Sequence, residues 1–341
     1  MTTEAIKKFA DMTRFDNSLI KILWENSYIV VKDLKEIADP NQAESALIIK
    51  TYSIPKRSKK GEVRNIYWPN SQQLNTILKI TSRFLSSIYS PTNVVHGFVK
   101  KKGIKTNAQQ HLECNILCKI DLENFFEQID MADISYALQN LGVEEDIANI
   151  ISKICTIKGN LIQGFNTSPI ISNIISIELD AKLEDYCKQN NITYTRYADD
   201  MSFSSKGDKI DLEPIIEIIS KCGFKINDGK TRVLKRGFYQ SVTGLTVFDN
   251  TIPRIPKRIK RNLRLESYYI NKFGIKNHAI RSLANRGEYN KNPNAEEDLK
   301  NEINRIRERF EGWISFSRGI EPDFSSKLKK LFDERDKTDS P

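Results

Sequence analysis

Long apolar runs are missing from this 341-residue chain, and none approaches the roughly 18 consecutive apolar residues that span a membrane. The opening segment, MTTEAIKKFADMTRF, has no apolar core of the kind that secretion signals carry. Secretion and membrane insertion are therefore not expected, and a cytoplasmic location is. Cysteine is sparse: residues 114, 118, 155, 187 and 222 make an odd set with no CxxC. Cys114 and Cys118 stand four apart, but only His111 and distant residues could complete a metal set with them. The spread reads as buried reduced thiols. Internal repeats and low-complexity tracts are absent too. At 39% hydrophobic and 28% charged residues, the composition is that of a folded chain, long enough for two domains or one large one.

What is present in excess is positive charge: 53 Lys and Arg against 44 Asp and Glu, a formal net charge of +9. The excess is clumped. Lys56, Arg57, Lys59 and Lys60 form one cluster, and Lys100, Lys101 and Lys102 another. Lys257, Arg258, Lys260, Arg261 and Arg264 form a further one, spaced to wrap one side of a helix. A single cluster is ordinary solvated surface. Several, with Gly or Pro nearby and Tyr52, Trp68, Phe98, Tyr268 and Tyr269 interleaved, fit phosphate contact and point to a nucleic-acid partner.

Apolar positions recur at helical spacing through residues 1–50, which predicts short amphipathic helices there. Residues 51–69 alternate, turn at Lys60-Gly61 and alternate again, the pattern of a basic-tipped β-hairpin. Helical periodicity returns over 71–90. NILCKIDL (115–122) is a short apolar run with one acid near its end, as in a buried strand presenting a carboxylate. Asp130 is placed to cap a helix from Met131. Pro169 opens a helix running to about Lys188. NITYTRYADDMSFSS (191–205) reads as a hairpin whose tight turn centres on Ala198, Asp199 and Asp200. A helix over about 211–222, a strand pair of FKIN with KTRVL, and a hairpin in YQSVTGLTVFDN follow. Pro253 and Pro256 mark a linker, and the remainder is helical and charged. This order suits an α+β fold, an antiparallel sheet with helices on one face and a helical C-terminal appendage.

If those strands are neighbours, Asp121, Asp199 and Asp200 converge at one sheet edge. An Asp-Asp pair alone is a common surface turn, but this one lies between two apolar-alternating strands. Mg²⁺ takes hard oxygen ligands and keeps waters for substrate phosphates, so such a cluster suits two Mg²⁺ ions. A pair of ions can activate an attacking hydroxyl and stabilise a leaving pyrophosphate in one in-line step.

Tyr197-Ala198-Asp199-Asp200 resembles the YxDD signature of reverse transcriptases. Arg64 with Ile66, Tyr67 and Pro69 resembles their fingers motif, and Asp121-Leu122 before Phe125-Phe126 their first catalytic strand. Gln163-Gly164, Thr167-Ser168-Pro169 and Ser172-Asn173 resemble the QGxxTSPxxSN box, with Asn166 standing where many relatives have proline. Asn227 with Lys230-Thr231 resembles the motif after the catalytic hairpin. Asn107-Ala108-Gln109-Gln110-His111 and Val242-Thr243-Gly244 are similar to the NAxxH and VTG boxes of retron reverse transcriptases, and Gly312–Phe316 to a short motif late in their thumb. The resemblance covers roughly residues 50–320.

It implies a right-hand polymerase: an N-terminal helical extension (1–50), fingers and a palm with a ferredoxin-like antiparallel sheet (51–250), and a helical, RNA-binding thumb (251–341). Asp121, Asp199 and Asp200 would be catalytic and, with the Leu122 carbonyl, would hold the two Mg²⁺ ions. Arg64 and Lys60 would clamp the dNTP triphosphate, Phe126 would be the steric gate against a ribose 2′-OH, and Gln163 and Gly164 would approach the nucleotide. Lys230 would protonate the leaving pyrophosphate. Asn107 and His111, four apart and so on one helix face, would serve RNA recognition, as would Val242, Thr243 and Gly244 near the primer end, and Lys257, Arg258, Lys260, Arg261 and Arg264. The implied partner is a structured non-coding RNA (msr-msd) that supplies template and a guanosine 2′-OH primer for branched multicopy single-stranded DNA. Host RNase H would remove template, since no second acidic cluster is visible, and an adjacent effector protein would act with it in defence against phage. The competing readings are a group II intron or diversity-generating reverse transcriptase, and a non-catalytic RNA–protein scaffold sequestering a toxic effector. The intron type normally adds a maturase domain, for which this chain leaves no room.

Overall fold

The computed structural model describes residues 3–36, 47–56, 61–286 and 295–333. By its contacts the chain divides into two compact units: unit 1, Met1–Gly103 with Ile116–Val233, and unit 2, Ile104–Asn115 with Leu234–Pro341. This division cuts across the three segments expected from sequence, because residues 104–115 join the C-terminal unit.

Unit 1 opens with α1 (Thr3–Thr13) and α2 (Asn17–Glu25), which bury Phe9, Ile20 and Leu23; Asp16 caps α2 by accepting from Ser18 N–H. The helical reading of 1–50 ends there. Ile29–Val31 is a strand, β1, and Leu34–Glu36 a single 3₁₀ turn. β1 lies parallel to β2 (Ile48–Pro55), which pairs antiparallel with β3 (Val63–Pro69), the hairpin expected from the alternation. Ser71 caps α3 (Gln72–Ile88).

The second sheet runs in the order β7 (Thr193–Tyr197), β8 (Asp200–Ser205), β4 (Ile116–Asp121), β9 (Arg232–Lys235). Its register sorts the side chains. Ile116, Cys118 and Ile120 of β4 lie opposite Ser205, Phe203 and Met201 of β8, and Phe203 and Met201 lie opposite Tyr194 and Arg196 of β7. That face forms the core, with Tyr194 stacked on Phe203 at 4.9 Å between ring centroids. Lys119 and Asp121 of β4, with Ser202 and Asp200 of β8, take the opposite face, since side chains alternate along a strand. FKIN does not form a strand with KTRVL: Ile226 makes an isolated bridge to Leu122, and β9 pairs in the sheet.

Helices α5 (Met131–Asn140), capped reciprocally by Asp130 and Asp133, and α6 (Glu145–Cys155) lead into the short ribbon of β5 (Thr156–Ile157) and β6 (Asn160–Leu161). The single helix expected from Pro169 to Lys188 is two, α7 (Ser168–Ile175) and α8 (Ile177–Gln189). Ser176 breaks it, its hydroxyl donating back to the Ser172 carbonyl at 2.8 Å, a bond that bends helices. α9 (Glu213–Lys221) completes the unit.

Unit 2 sets α4 (Ile104–Gln109) against the hairpin of β10 (Ser241–Val242) and β11 (Leu245–Thr246). The rest is the helical α10 (Lys257–Phe273), α11 (Ile275–Asn285), α12 (Ala295–Ile320) and α13 (Pro322–Asp333). Leu263, Ile270, Leu283, Phe310, Ile314 and Leu328 are buried among them.

Candidate active site

Asp121 and Asp200 are directly opposed in the β4–β8 ladder, and Tyr197 faces Asp200 across β7–β8. The tight turn is therefore Ala198-Asp199, with Asp200 already in the strand. Ala198 has φ +56°, the positive φ that two-residue hairpin turns require. The Leu122 N–H donates to the Asp199 carbonyl at 3.1 Å, tying the end of β4 to the turn. On the other side, Asn227 N–H donates to the Asp121 carbonyl and Glu123 N–H to the Lys225 carbonyl. That alternation turns the N–H and C=O of Leu122 toward Asp199.

Two lysines reach these carboxylates. Lys230 Nζ is 2.8 Å from Asp121 Oδ2, and Lys119 Nζ is 3.1 Å from Asp200 Oδ2. Burial raises the pKa of Asp199, and the charge of Asp121 adds to the rise. Burial also raises Asp200, with Lys119 working against it. Like charges brought together out of water are costly until a cation answers them. Among the described residues no three His, Cys, Asp or Glu side chains form a ready-made metal cluster; Asp121 and Asp200 are turned onto their lysines instead. The donor set nonetheless fits a hard divalent cation, being carboxylate and carbonyl oxygen throughout, with acids whose burial asks for positive charge.

A cleft of about 810 Å³ lies before Asp121 and Asp199, and Arg64, Tyr67, Phe126, Gln163 and Lys230 are among the residues that line it. Arg64 is exposed on β3; Lys60 lies outside the described residues, as do Arg57 and Lys59. Phe126 is half-buried in the cleft wall, while Phe125 is buried and packs on Phe224 at 5.8 Å. The Gln163 carbonyl accepts from Tyr67 N–H at 2.8 Å. Gly164 has φ +121°, and a Cβ there would stand 2.1 Å from the Tyr67 carbonyl oxygen, so only glycine lets the loop meet β3. Phe165 is buried edge-on to Tyr28, whose hydroxyl donates to the Ile154 carbonyl at 2.8 Å. The N-terminal segment thus props this loop, a contact with no signal in sequence. Asn166 is exposed, and Thr167 and Ser168 are buried.

Lys119 was not singled out from sequence, although a cation two residues before Asp121 must share its strand face. Lys230, expected as a proton donor, is here the ion-pair partner of Asp121.

In unit 2 the NAxxH and VTG segments come together. Thr243 and Gly244 both have positive φ, +46° and +84°, in the β10–β11 turn, and Thr243 Oγ1 donates to the Ile104 carbonyl of α4 at 3.1 Å. The expectation that Asn107 and His111 share one helix face is corrected. α4 ends at Gln109, His111 follows in a turn, and both side chains are 1% exposed. Val242 is fully buried as well, whereas Thr243 is half-buried and Gly244 exposed. Of the cations expected on one helix, Lys257, Arg258, Arg261 and Arg264 are exposed on α10. Lys260 is not free for phosphate: it is turned onto Glu321 at 2.8 Å, and Arg264 lies over the Phe324 ring at 5.4 Å. In the late-thumb motif on α12, Ile314 is buried, Trp313 half-buried and Phe316 exposed.

Comparison with known proteins gives this geometry its context. The model of the family "Reverse transcriptase (RNA-dependent DNA polymerase)" matches residues 54–251. The retron Mx162 reverse transcriptase of Myxococcus xanthus is 30% identical over 273 residues, covering 69% of this chain and 55% of that protein. The retron Ec73 reverse transcriptase of Escherichia coli is 30% identical over 297 residues, 80% of this chain and 84% of that one. The chain thus spans about half the length of the Myxococcus relative and most of the other. An apo telomerase structure from Candida tropicalis aligns at TM-score 0.44 and 13% identity, over 70% of this chain and 60% of that one. The α+β architecture is that of a right-hand polymerase. With the family model spanning more than half of its residues and a retron enzyme matched along most of both lengths, the chain belongs to the retron reverse transcriptases.

Proposed function

We propose that this chain is an RNA-directed DNA polymerase that copies a cognate structured non-coding RNA, the msr-msd transcript. The observation that carries this reading is the meeting of Asp121, Asp199 and Asp200 at one sheet end before a cleft lined by Arg64, Phe126 and Gln163. Asp121, Asp199 and Asp200, with the Leu122 carbonyl, would hold two Mg²⁺ ions, which when bound would supply activation of the attacking hydroxyl and charge neutralisation at the leaving pyrophosphate. Arg64 clamps the triphosphate, its planar fork matching phosphate oxygens, and Lys60 helps. Gln163 and Gly164 form the wall against which the nucleotide sits. Lys230, paired with Asp121 in the cleft, would be the proton donor toward the leaving pyrophosphate. Phe126 presents its ring to the sugar and excludes a 2′-OH; Phe126→Ala should admit rNTPs.

In unit 2, Lys257, Arg258, Arg261 and Arg264 form an exposed basic stripe suited to the phosphates of a folded RNA, read by shape because A-form major grooves exclude side chains. Asn107, His111, Val242, Thr243 and Gly244 serve recognition of that RNA by shaping this part of unit 2, where Thr243 is tied to the Ile104 carbonyl of α4. The primer is an internal guanosine 2′-OH of that RNA, the product is branched multicopy single-stranded DNA, and host RNase H trims the template. Action beside an adjacent effector protein in phage defence completes the reading.

The test is to purify nucleic acid bound to the protein from cells carrying the gene with its flanking DNA. It is treated with RNase and run on a denaturing gel before and after debranching enzyme. A discrete DNA band that shifts on debranching is expected. Extension of an added primer on RNA with no such band would keep the polymerase and discard the retron product. RNA bound without any DNA synthesis would favour a scaffold.

A further inference from the structure

Behind the turn that carries Asp199 lies a buried polar network with no part in the roles above. Arg196 occupies a core-facing position of β7, opposite Met201, and is fully buried. A guanidinium there is tolerated only if its donors are matched. Nε and Nη2 donate to the two oxygens of Asp180 on α8, at 2.8 and 2.6 Å. Nη1 donates to Asn173 Oδ1 on α7 at 3.1 Å and to the Ala198 carbonyl at 3.2 Å. Asn173 Nδ2 donates in turn to the Gly97 carbonyl at 3.0 Å, and the Tyr194 hydroxyl to Asp180 Oδ1 at 2.8 Å. Asp180 and Asn173 are as buried as the arginine. From the other side, His96 N–H donates to the Arg196 carbonyl at 2.8 Å, and Gly97 runs so close that a Cβ would stand 2.5 Å from the Ala198 nitrogen.

The turn so enclosed carries two loads. Ala198 sits in the left-handed region, which alanine avoids. Asp199, the next residue, is brought out of water toward the charge of Asp121. Both loads favour relaxation of the turn, and the hydrogen bond from Arg196 to the Ala198 carbonyl opposes it.

We propose that Arg196, clamped by Asp180 and Asn173, is a positioning residue that fixes the strained Ala198-Asp199 turn so that Asp199 stays beside Asp121 to receive a divalent cation. This rests on the metal-site reading proposed above. It gives Asn173 of the TSPxxSN segment a task far from any nucleotide: aligning the arginine. Arg196→Lys cannot make the fork and would leave Asp180 half-matched, so folding itself is at risk. Asn173→Ala is the cleaner variant, because it leaves the bidentate Arg196–Asp180 pair in place. Tyr194→Phe is its control, removing a buried hydrogen bond to Asp180 without touching the link to the turn.

Full-length wild type, Asp199→Asn, Asn173→Ala and Tyr194→Phe are titrated with Mn²⁺ alone by electron paramagnetic resonance, with melting curves for each. Steady-state kinetics follow on a primed RNA template. Wild type is expected to bind Mn²⁺ and Asp199→Asn to lose that binding. Asn173→Ala should weaken Mn²⁺ binding by about 10- to 100-fold, the range for partners that orient metal ligands. Its kcat should fall while KM for dNTP stays unchanged. Tyr194→Phe should melt earlier yet bind Mn²⁺ as wild type does. Wild-type Mn²⁺ affinity in Asn173→Ala would overturn the proposal, as would equal weakening in Tyr194→Phe, which would make the network a structural prop only. Mn²⁺ binding indifferent to Asp199→Asn would instead overturn the metal-site reading itself, and the proposal with it. Should Asn173→Ala not fold, Asn173→Ser is read by the same outcomes.

Discussion

The acids of the candidate site in unit 1 and the buried glutamates of unit 2 are held in opposite ways. In unit 1, burial raises Asp199 and Asp200, and the lysines nearby do not undo it. In unit 2, Glu302 is only 4% exposed, and burial alone would raise it too. There, however, Arg305 and Arg286 reach it at 2.8 and 2.7 Å and the Ser282 hydroxyl at 2.8 Å, and together they bring its pKa down to about 2. Glu266 is likewise lowered against its burial by His278 and Arg309. Guanidinium forks lock an acid in place, whereas a lysine is a single point of charge on a flexible stem that can withdraw. An acid fully answered from within the fold stitches helices together. An acid left raised at the end of a sheet remains available to a positively charged partner.

Asp199→Asn should separate these two uses most sharply. Because the folded pKa of Asp199 lies above its ordinary value of 3.8, the native state loses stability as pH rises from 3.8 through the raised folded value. Removing the charge should therefore raise Tm by a few degrees at pH 7 while primer extension falls to background. A variant that is inactive and also less stable would show that the Asp199 charge is part of the scaffold, and the contrast would fail.

Glu302→Gln is the converse experiment. A depressed pKa contributes stability that is complete above the ordinary value of 4.5 and is lost as pH falls from there through about 2. The substitution leaves two arginines without their acid and should cost unit 2 about 1–3 kcal/mol at neutral pH. Hydrogen exchange would locate the loss in α10–α13 and show a flatter response to acid than wild type. Unchanged protection would mean that the arginines are solvated without cost, and that Glu302 is no more structural than Asp199.

Lys119→Met asks whether a site lysine tunes or merely accompanies its carboxylate. Lys119 holds Asp200 down against burial, so its loss should raise Asp200 further. If polymerisation needs Asp200 ionised, the acid limb of the kcat/KM profile moves to higher pH, with a smaller change on the neutral plateau. An unmoved acid limb would remove Lys119 from the site's electrostatics.

How much of this was legible beforehand depended on whether the signal was local. Asp121 at the end of an apolar run and Asp199-Asp200 between alternating strands announce themselves, because strand period and turn chemistry are written in neighbouring residues. The hairpin of β2 and β3 and the Asp130 cap of α5 were readable for the same reason. Arg196 was not: a cation on the core face looks like an error in the alternation until Asp180 and Asn173, on two other helices, are seen to match its donors. Nor was the break at Ser176, where helical periodicity continues on both sides. Asn107 and His111 misled in another way, since a spacing of four suggests one helix face, yet α4 ends at Gln109 and both residues are buried.

Asn166 offers the smallest effect and a check that the units report separately. Ser168 N–H donates to the Phe165 carbonyl at 3.2 Å, closing a turn in which Asn166 is the second residue and Thr167, at φ −86° and ψ −25°, the third. That is the geometry of a type I turn, whose second position favours proline. Asn166 is exposed, so proline would cost no buried contact of its side chain. Asn166→Pro should stabilise by about 0.4–1 kcal/mol, mainly by restricting the unfolded chain. The gain should appear as slower exchange around α7 and leave α10–α13 unchanged, with KM for dNTP close to wild type because Gln163 is already held by Tyr67 and Phe165 by Tyr28. A large fall in KM would show that those two contacts do not hold the loop, and that its stiffness still depends on the residue at 166.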